Sequence, residues 1–266
     1  ISINGFDAGA NGNTWFNIQN GTLGNVSANH TANIQNYGNG WYRISITMQA
    51  TTDVVGAFVL RLANSNGTGN ILRDGTNGVY LFGVQAESDA SRQFMTSYIP
   101  TNGEVNGVTR LADAAFGAGS SDLINSTEGV LYAEIAALAD DNIARNISLG
   151  SGDLTNTVEI FYGNSTNQIS FKIRANNSNV TVQNRTVSDR TQFAKVAFKY
   201  KSGDIEFFIN GVKEVDRTDS FTFSSSLSEL TFERANGSDE FEGKVKCVAV
   251  FKEALTDAEL TCLTTI

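Results

Sequence analysis

Short runs in which apolar and polar residues alternate, cut again and again by Gly, Asn, Ser and Asp, dominate this chain from end to end. Successive side chains of an extended strand point to opposite faces, so alternation at period two buries one face of a sheet and wets the other. Many short strands separated by turn residues make sandwiches or barrels. Helical periodicity is nearly absent. The expected fold class is therefore all-β.

The first part of the chain reads as strands near Thr14–Gln19, Gly40–Gln49, Ala57–Leu62 and Gly78–Glu87, bounded by turns such as Asn11-Gly12 and Asp74-Gly75. The single proline, Pro100, has no N–H for a ladder and biases Ile99 toward extended geometry. It marks a boundary. Beyond it, nine runs alternate: Gly129–Leu138, Arg145–Gly150, Thr157–Gly163, Gln168–Ala175, Asn179–Thr186, Lys195–Tyr200, Asp204–Asn210, Glu229–Arg234 and Gly243–Phe251. Asn210-Gly211 supplies the two positive-φ positions of a type I′ hairpin. Thr256 with Glu259 forms a capping box, and Leu255, Leu260 and Leu263 give a short terminal helix an apolar side. The expected architecture is two antiparallel β-sandwich (jelly-roll) domains, at 1–98 and 111–266, joined by a linker at 99–110.

The hydrophobic fraction of 41% is enough for ordinary cores. A formal charge of −9, with no Lys/Arg stripe, repels phosphate backbones and anionic lipid, so neither nucleic acid nor membrane is an expected partner. No apolar run is long enough to span a bilayer, and any export signal is expected outside this stretch. Only 18% of residues are charged; Asn, Ser, Thr and Gly carry the polarity. Two cysteines, Cys247 and Cys262, are too few for a disulfide framework, which leaves open a mutual bridge or free buried thiols.

Two passages resemble known families. Gly38-Asn39-Gly40-Trp41-Tyr42-Arg43-Ile44-Ser45, then Gly75-Thr76-Asn77-Gly78-Val79-Tyr80-Leu81-Phe82-Gly83-Val84-Gln85-Ala86-Glu87 and Thr96-Ser97-Tyr98-Ile99-Pro100-Thr101, are similar to the jelly-roll carbohydrate-binding-type module of phage tail and bacterial surface proteins. Val108-Thr109-Arg110-Leu111-Ala112-Asp113 is the usual lead into a second domain. That domain's close, Phe241-Glu242-Gly243-Lys244-Val245-Lys246-Cys247-Val248-Ala249-Val250-Phe251 with Glu253 to Leu260, resembles concanavalin A-like, laminin-G-like lectin domains. Lys246 and Cys247 stand where acidic residues are frequent in that family. The resemblance implies a non-catalytic protein of a virion surface or extracellular space that recognises host-surface polysaccharide, contacts other virion proteins and assembles as a homo-oligomer, a trimer in tail fibres. It also implies that strands preceding Ile1 are missing from the first sandwich. A purely structural module and a polysaccharide lyase or hydrolase stay as alternatives.

Strand parity picks the candidate site. With Ile147, Val158, Ile160, Ile169, Phe171, Ile173, Val180 and Val182 inward, the other face carries Asn146, Glu159, Phe161, Lys172, Arg174, Gln183 and Arg185. An aromatic ring among amide and cationic donors suits a sugar, so the glycan-binding candidates are Phe161, Asn146, Lys172, Arg174 and Gln183, with Trp15 beside an Asn/Gly turn. Trp41 and Tyr42 read as core anchors. Asp140, Asp141 and Asp153 offer loop oxygens, and calcium, by analogy with laminin-G-like domains, is the one cofactor left open. Asp204 and Glu206 share a face without a third acid and read as a solvated strand edge; His30, without a Ser/Asp or Cys partner motif, reads as a surface residue. No catalytic set emerges.

Overall fold

In the computed structural model, residues 1–7, 9–51, 55–69, 75–76, 78–88, 95–104, 106–109 and 119–266 are described. Asp74, Asn77 and the stretch Arg110-Leu111-Ala112-Asp113 lie outside them. The chain divides into two units, Ile1–Val108 and Thr109–Ile266. Among the described residues the strands are antiparallel, with one short helix at the C-terminal end.

Unit 1 is built from small sheets. β1 (Ser2–Asn4) lies between β2 (Gly12–Asn13) and β7 (Ala57–Val59); β3 (Phe16–Asn17) pairs with β4 (Thr22–Leu23); β5 (Thr31–Gly38) pairs with β6 (Trp41–Thr47). The hairpin reverses through Gly38, Asn39 and Gly40, all at positive φ. Trp41 beside it is 48% exposed and is not the expected core anchor; among the described residues, nothing comes within 4 Å of a Cβ built on Gly38 or Gly40 at the hairpin tip. Tyr42 is half-buried and packs so closely over Gly21 that a Cβ there would come within 2.6 Å of its ring. The expected strand Gly78–Glu87 has no ladder partner among the described residues; Tyr80 and Phe82 are 88% and 78% exposed. Side chains tie it down instead, Gln85 Oε1 accepting from the Ile99 N–H at 2.7 Å. His30 is no surface residue. It is buried, with Nδ1 2.8 Å from Thr14 Oγ1 and Nε2 3.0 Å from the Ala10 carbonyl.

Unit 2 is a two-layer sandwich. One sheet has the order β12 (Ser178–Thr186), β11 (Gln168–Ala175), β10 (Thr157–Tyr162), β9 (Arg145–Gly150), β16 (Glu229–Thr231). The other runs β15 (Val212–Arg217), β14 (Ile205–Ile209), β13 (Ala194–Lys201), β8 (Glu128–Ala137), β17 (Gly243–Phe251). Alternation drives the stacking: Leu131, Ile135, Val196, Phe198 and Phe207 of the second sheet meet Ile147, Val158, Ile160, Phe171 and Ile173 of the first in one buried core. Phe171 stacks on Phe207 at 4.1 Å and meets Phe198 edge-on at 4.7 Å. Asn210 and Gly211, at φ 49° and 83°, turn β14 into β15 as expected.

The outer face of the β8-containing sheet is covered by α1 (Asp257–Thr264), whose Leu260 joins Val130, Tyr132, Ala197 and Phe208. Its capping box forms: Glu259 N–H donates to Thr256 Oγ1, and Glu259 Oε2 accepts from the Thr256 N–H at 2.8 Å. Glu206 lies on this face too and is not solvated. It is 4% exposed and takes Lys199 Nζ at 3.1 Å and Lys213 Nζ at 2.6 Å. Lys213 reaches on to Asp257 at 2.6 Å, so a buried carboxylate and two lysines pin the start of α1. Cys247 and Cys262 are free and exposed, not buried and not bridged.

Candidate functional site

With α1 over one sheet, the polar face left in unit 2 is the outer side of β9, β10, β11 and β12. Register arranges it in rows. Asn146, Phe161, Ser170 and Asn184 stand abreast across the four strands, and the next row is Ser148, Glu159, Lys172 and Val182. Four of the expected residues therefore share this face: Phe161, Asn146, Lys172 and, opposite Thr157 one row further on, Arg174.

The face is a basin in which most polar atoms are already held. Lys172 Nζ meets Glu159 Oε2 at 2.7 Å and lies 5.6 Å from the centre of the Phe161 ring. Thr157 Oγ1 donates to Glu159 Oε1 at 2.6 Å, and Ser148 Oγ donates to the Glu233 carbonyl at 2.6 Å. Asn146 is 2% exposed, and its Oδ1 has no hydrogen-bond partner among the described residues. A buried acceptor left unmade costs about 1–3 kcal/mol, so a donor reaching it gains that back. Phe161 is half-buried, while Val182 and Asn184 open to solvent.

A bulge moves the expected residues of β12. On β12, Val180 is the extra residue between the pairs Arg174–Asn179 and Ile173–Thr181, which reverses parity beyond it. Val182, expected inward, faces out at 43% exposure. Gln183 stands opposite Phe171 and Arg185 opposite Ile169, both inward-facing positions, so neither joins the row. Arg185 reaches instead to the Glu214 carbonyl at 2.9 Å. Asn184 takes the place expected of Gln183; parity counted without a bulge could not find it. Arg174 sits beside the bulge, its guanidinium donating to the Asn177 carbonyl at 2.9 Å. Trp15 belongs to unit 1, half-buried, with its backbone bonded to Asn25 and Gly24.

The expected calcium ligands are engaged elsewhere. Asp141 receives a two-pronged bond from Arg145, 2.8 and 2.6 Å, and Asp140 Oδ1 lies 2.5 Å from Arg190 Nε. Both guanidinium groups are fully buried, so the carboxylates neutralise them and are not free for a cation. Asp153 closes its own loop, accepting from the Thr155 N–H at 2.8 Å. Among the described residues no cluster of three or more His, Cys, Asp or Glu could hold a metal ion.

Burial works to raise the Asp141 pKa, but hydrogen bonds from Arg145 and the Ile143 N–H outweigh it and hold the carboxyl below the ordinary range. Lys213 holds Asp257 down in the same direction. A depressed folded pKa contributes stability that is complete above the unfolded value near about 4 and is lost as pH falls through the folded value. The urea midpoint is therefore expected to be level from about pH 7 to 5 and to fall below about pH 4. Asp141→Asn should flatten part of that fall, and a midpoint that rises on acidification would contradict the assignment.

Among the described residues no helix is long and apolar enough to cross a membrane. No curated protein matches the chain. The carbohydrate-binding module CBM40 of the Ruminococcus gnavus IT-sialidase, bound to alpha2,3 sialyllactose, is similar at 16% identity and a TM-score of 0.44, over 53% of this chain and 84% of the module. Domain 4 of AbnA, a GH43 extracellular arabinanase from Geobacillus stearothermophilus in complex with arabinotriose, is similar at 14% identity and a TM-score of 0.38, over 55% of this chain and 70% of that domain. The module CBM66 from Bacillus subtilis is similar at 10% identity and a TM-score of 0.34, over 47% and 75%. Residues 133–261, from within β8 to within α1, match the family described as the concanavalin A-like lectin/glucanases superfamily, and the sandwich of unit 2 is concanavalin A-like.

Proposed function

We propose that this chain is a non-catalytic carbohydrate-binding protein, displayed on a phage tail fibre, tail tip or capsid surface, that recognises host-surface glycan through unit 2. One observation supports this above the rest: the row Asn146, Phe161, Ser170, Asn184 sets a ring between amide and hydroxyl groups, and the buried Asn146 Oδ1 has no partner among the described residues. A sugar hydroxyl could supply that missing donor while a C–H face of the pyranose rests on Phe161. Site affinities of this kind are weak singly and are multiplied in a homo-oligomer, a trimer in a tail fibre.

A purely structural role is the second reading. It draws on the closure of the basin, where Glu159 and Ser170 are each 1% exposed and Lys172 9%. A glycan array separates the two. Saturable, selective binding is expected, and Phe161→Ala should weaken it about tenfold, which is about 1.4 kcal/mol. Because Asp140 and Asp141 are held by arginine and Asp153 by its own loop, binding should survive a chelator. Silence across the array, with hydrogen exchange showing an intact sandwich, would move the assignment to a structural module.

A further inference from the structure

A second feature of unit 2 lies away from that row. The start of β8, the β13–β14 turn and the segment 221–226 enclose an open hollow of about 390 Å³. That volume is within the range of about 300–1,000 Å³ usual for small-molecule sites. Phe221 and Phe223 line it, ring centres 5.0 Å apart, and every other lining residue carries a hydroxyl: Ser126, Thr127, Ser202, Thr222 and Ser224 to Ser226. Among the described residues no charged side chain lines it.

The hydroxyls are oriented by the protein. Ser126 Oγ accepts from the Leu227 N–H at 2.8 Å and Ser202 Oγ from the Phe221 N–H at 2.9 Å. Asn156 is fully buried, and its Nδ2 donates to Ser225 Oγ at 2.8 Å and to Ser224 Oγ at 3.3 Å. The Asn176 N–H donates to Asn156 Oδ1 at 3.0 Å, which fixes the way the amide points. Asn176 Nδ2 in turn donates to the Thr222 carbonyl, tying the segment to the β11–β12 turn. Each of these serine oxygens already accepts one hydrogen bond, which leaves its own hydrogen to donate.

That chemistry selects a ligand class. Donors without a cation, in a chain of charge −9, disfavour an anion. A pure hydrocarbon would leave the hydroxyls unpaired. A neutral sugar satisfies both demands, its oxygens accepting from the serines and a C–H face lying on a phenylalanine. We infer that the hollow bounded by Phe221, Phe223 and the Ser224–Ser226 run is a saccharide-binding site for neutral sugars, separate from the Phe161 row, and that Asn156 is its positioning residue.

Titration of the full chain with neutral gluco-, galacto-, manno- and arabino-oligosaccharides, followed by amide chemical shifts, tests this. At least one sugar is expected to shift the amides of 221–227. Ser226→Trp, which fills the hollow from an exposed position, should weaken that response at least tenfold, whereas Phe161→Ala should leave it unchanged. Hexuronate oligomers should not move these amides. Shifts confined to β9–β11 would overturn this inference and leave the Phe161 reading standing; shifts confined to 221–227 would do the reverse. No shift with any neutral sugar, or an equal response in Ser226→Trp, would overturn it as well.

Discussion

Truncating Phe171 to alanine is expected to destabilise unit 2 by about 3–5 kcal/mol, the range for removing a buried phenylalanine from a packed core. Phe171 has no exposure, and its ring contacts Phe198 and Phe207 across the sandwich. Removing it forfeits the transfer energy of the ring and opens a cavity between strands too well paired to close over it. Both tryptophans, Trp15 and Trp41, lie in unit 1, so their fluorescence does not report this change. Hydrogen exchange of β11 and β13 does. A loss below about 1 kcal/mol there would mean that the sheets do not close on this ring.

Arg190→Ala is expected to cost about 3 kcal/mol, because it breaks a buried ionic assembly instead of a hydrophobic one. The guanidinium is fully buried; besides Asp140 and Asp141 it serves the Gly163 carbonyl at 3.2 Å and the Ser165 carbonyl at 3.1 Å. It also stands 5.9 Å from the centre of the Tyr162 ring. Its loss leaves carbonyls and a carboxylate without their donor in one place. The partly solvated Asp140 softens the cost, which sets the figure at the lower end of the usual range. Replacing Asp140 by Asn in the same chain should recover part of it, and urea midpoints of the two single variants and the double variant give the coupling directly. Additive losses would show that Arg190 acts through the carbonyls alone.

The contrast between these two sites and the row around Phe161 shows which parts of the molecule could be read before its structure. Alternation over Arg145–Gly150, Gln168–Ala175 and Gly243–Phe251 located those strands at the residues where they occur, since unit 2 buries one face of each sheet in a long, regular core. Unit 1 was less legible. β1, β2 and β4 are two or three residues long, too short to show a period, and Gly78–Glu87 alternates like a strand yet has no ladder partner among the described residues. Local pattern records which residues can lie extended, not what lies alongside them.

By itself, the sequence determined the all-β class, the Asn210-Gly211 hairpin, the capped helix and four residues of the candidate face, because each follows from backbone preference or a period of two. Tertiary structure alone decided the rest. One inserted residue at Val180 reversed β12 and exchanged Gln183 for Asn184. Buried arginines claimed Asp140 and Asp141, two of the three aspartates that loop chemistry had offered to calcium. Glu206 became a buried anchor for α1 only because Lys199 and Lys213 converge on it from neighbouring strands. In each case the deciding partner is distant along the chain or set by register across a ladder, and burial then fixes which polar groups must be paired.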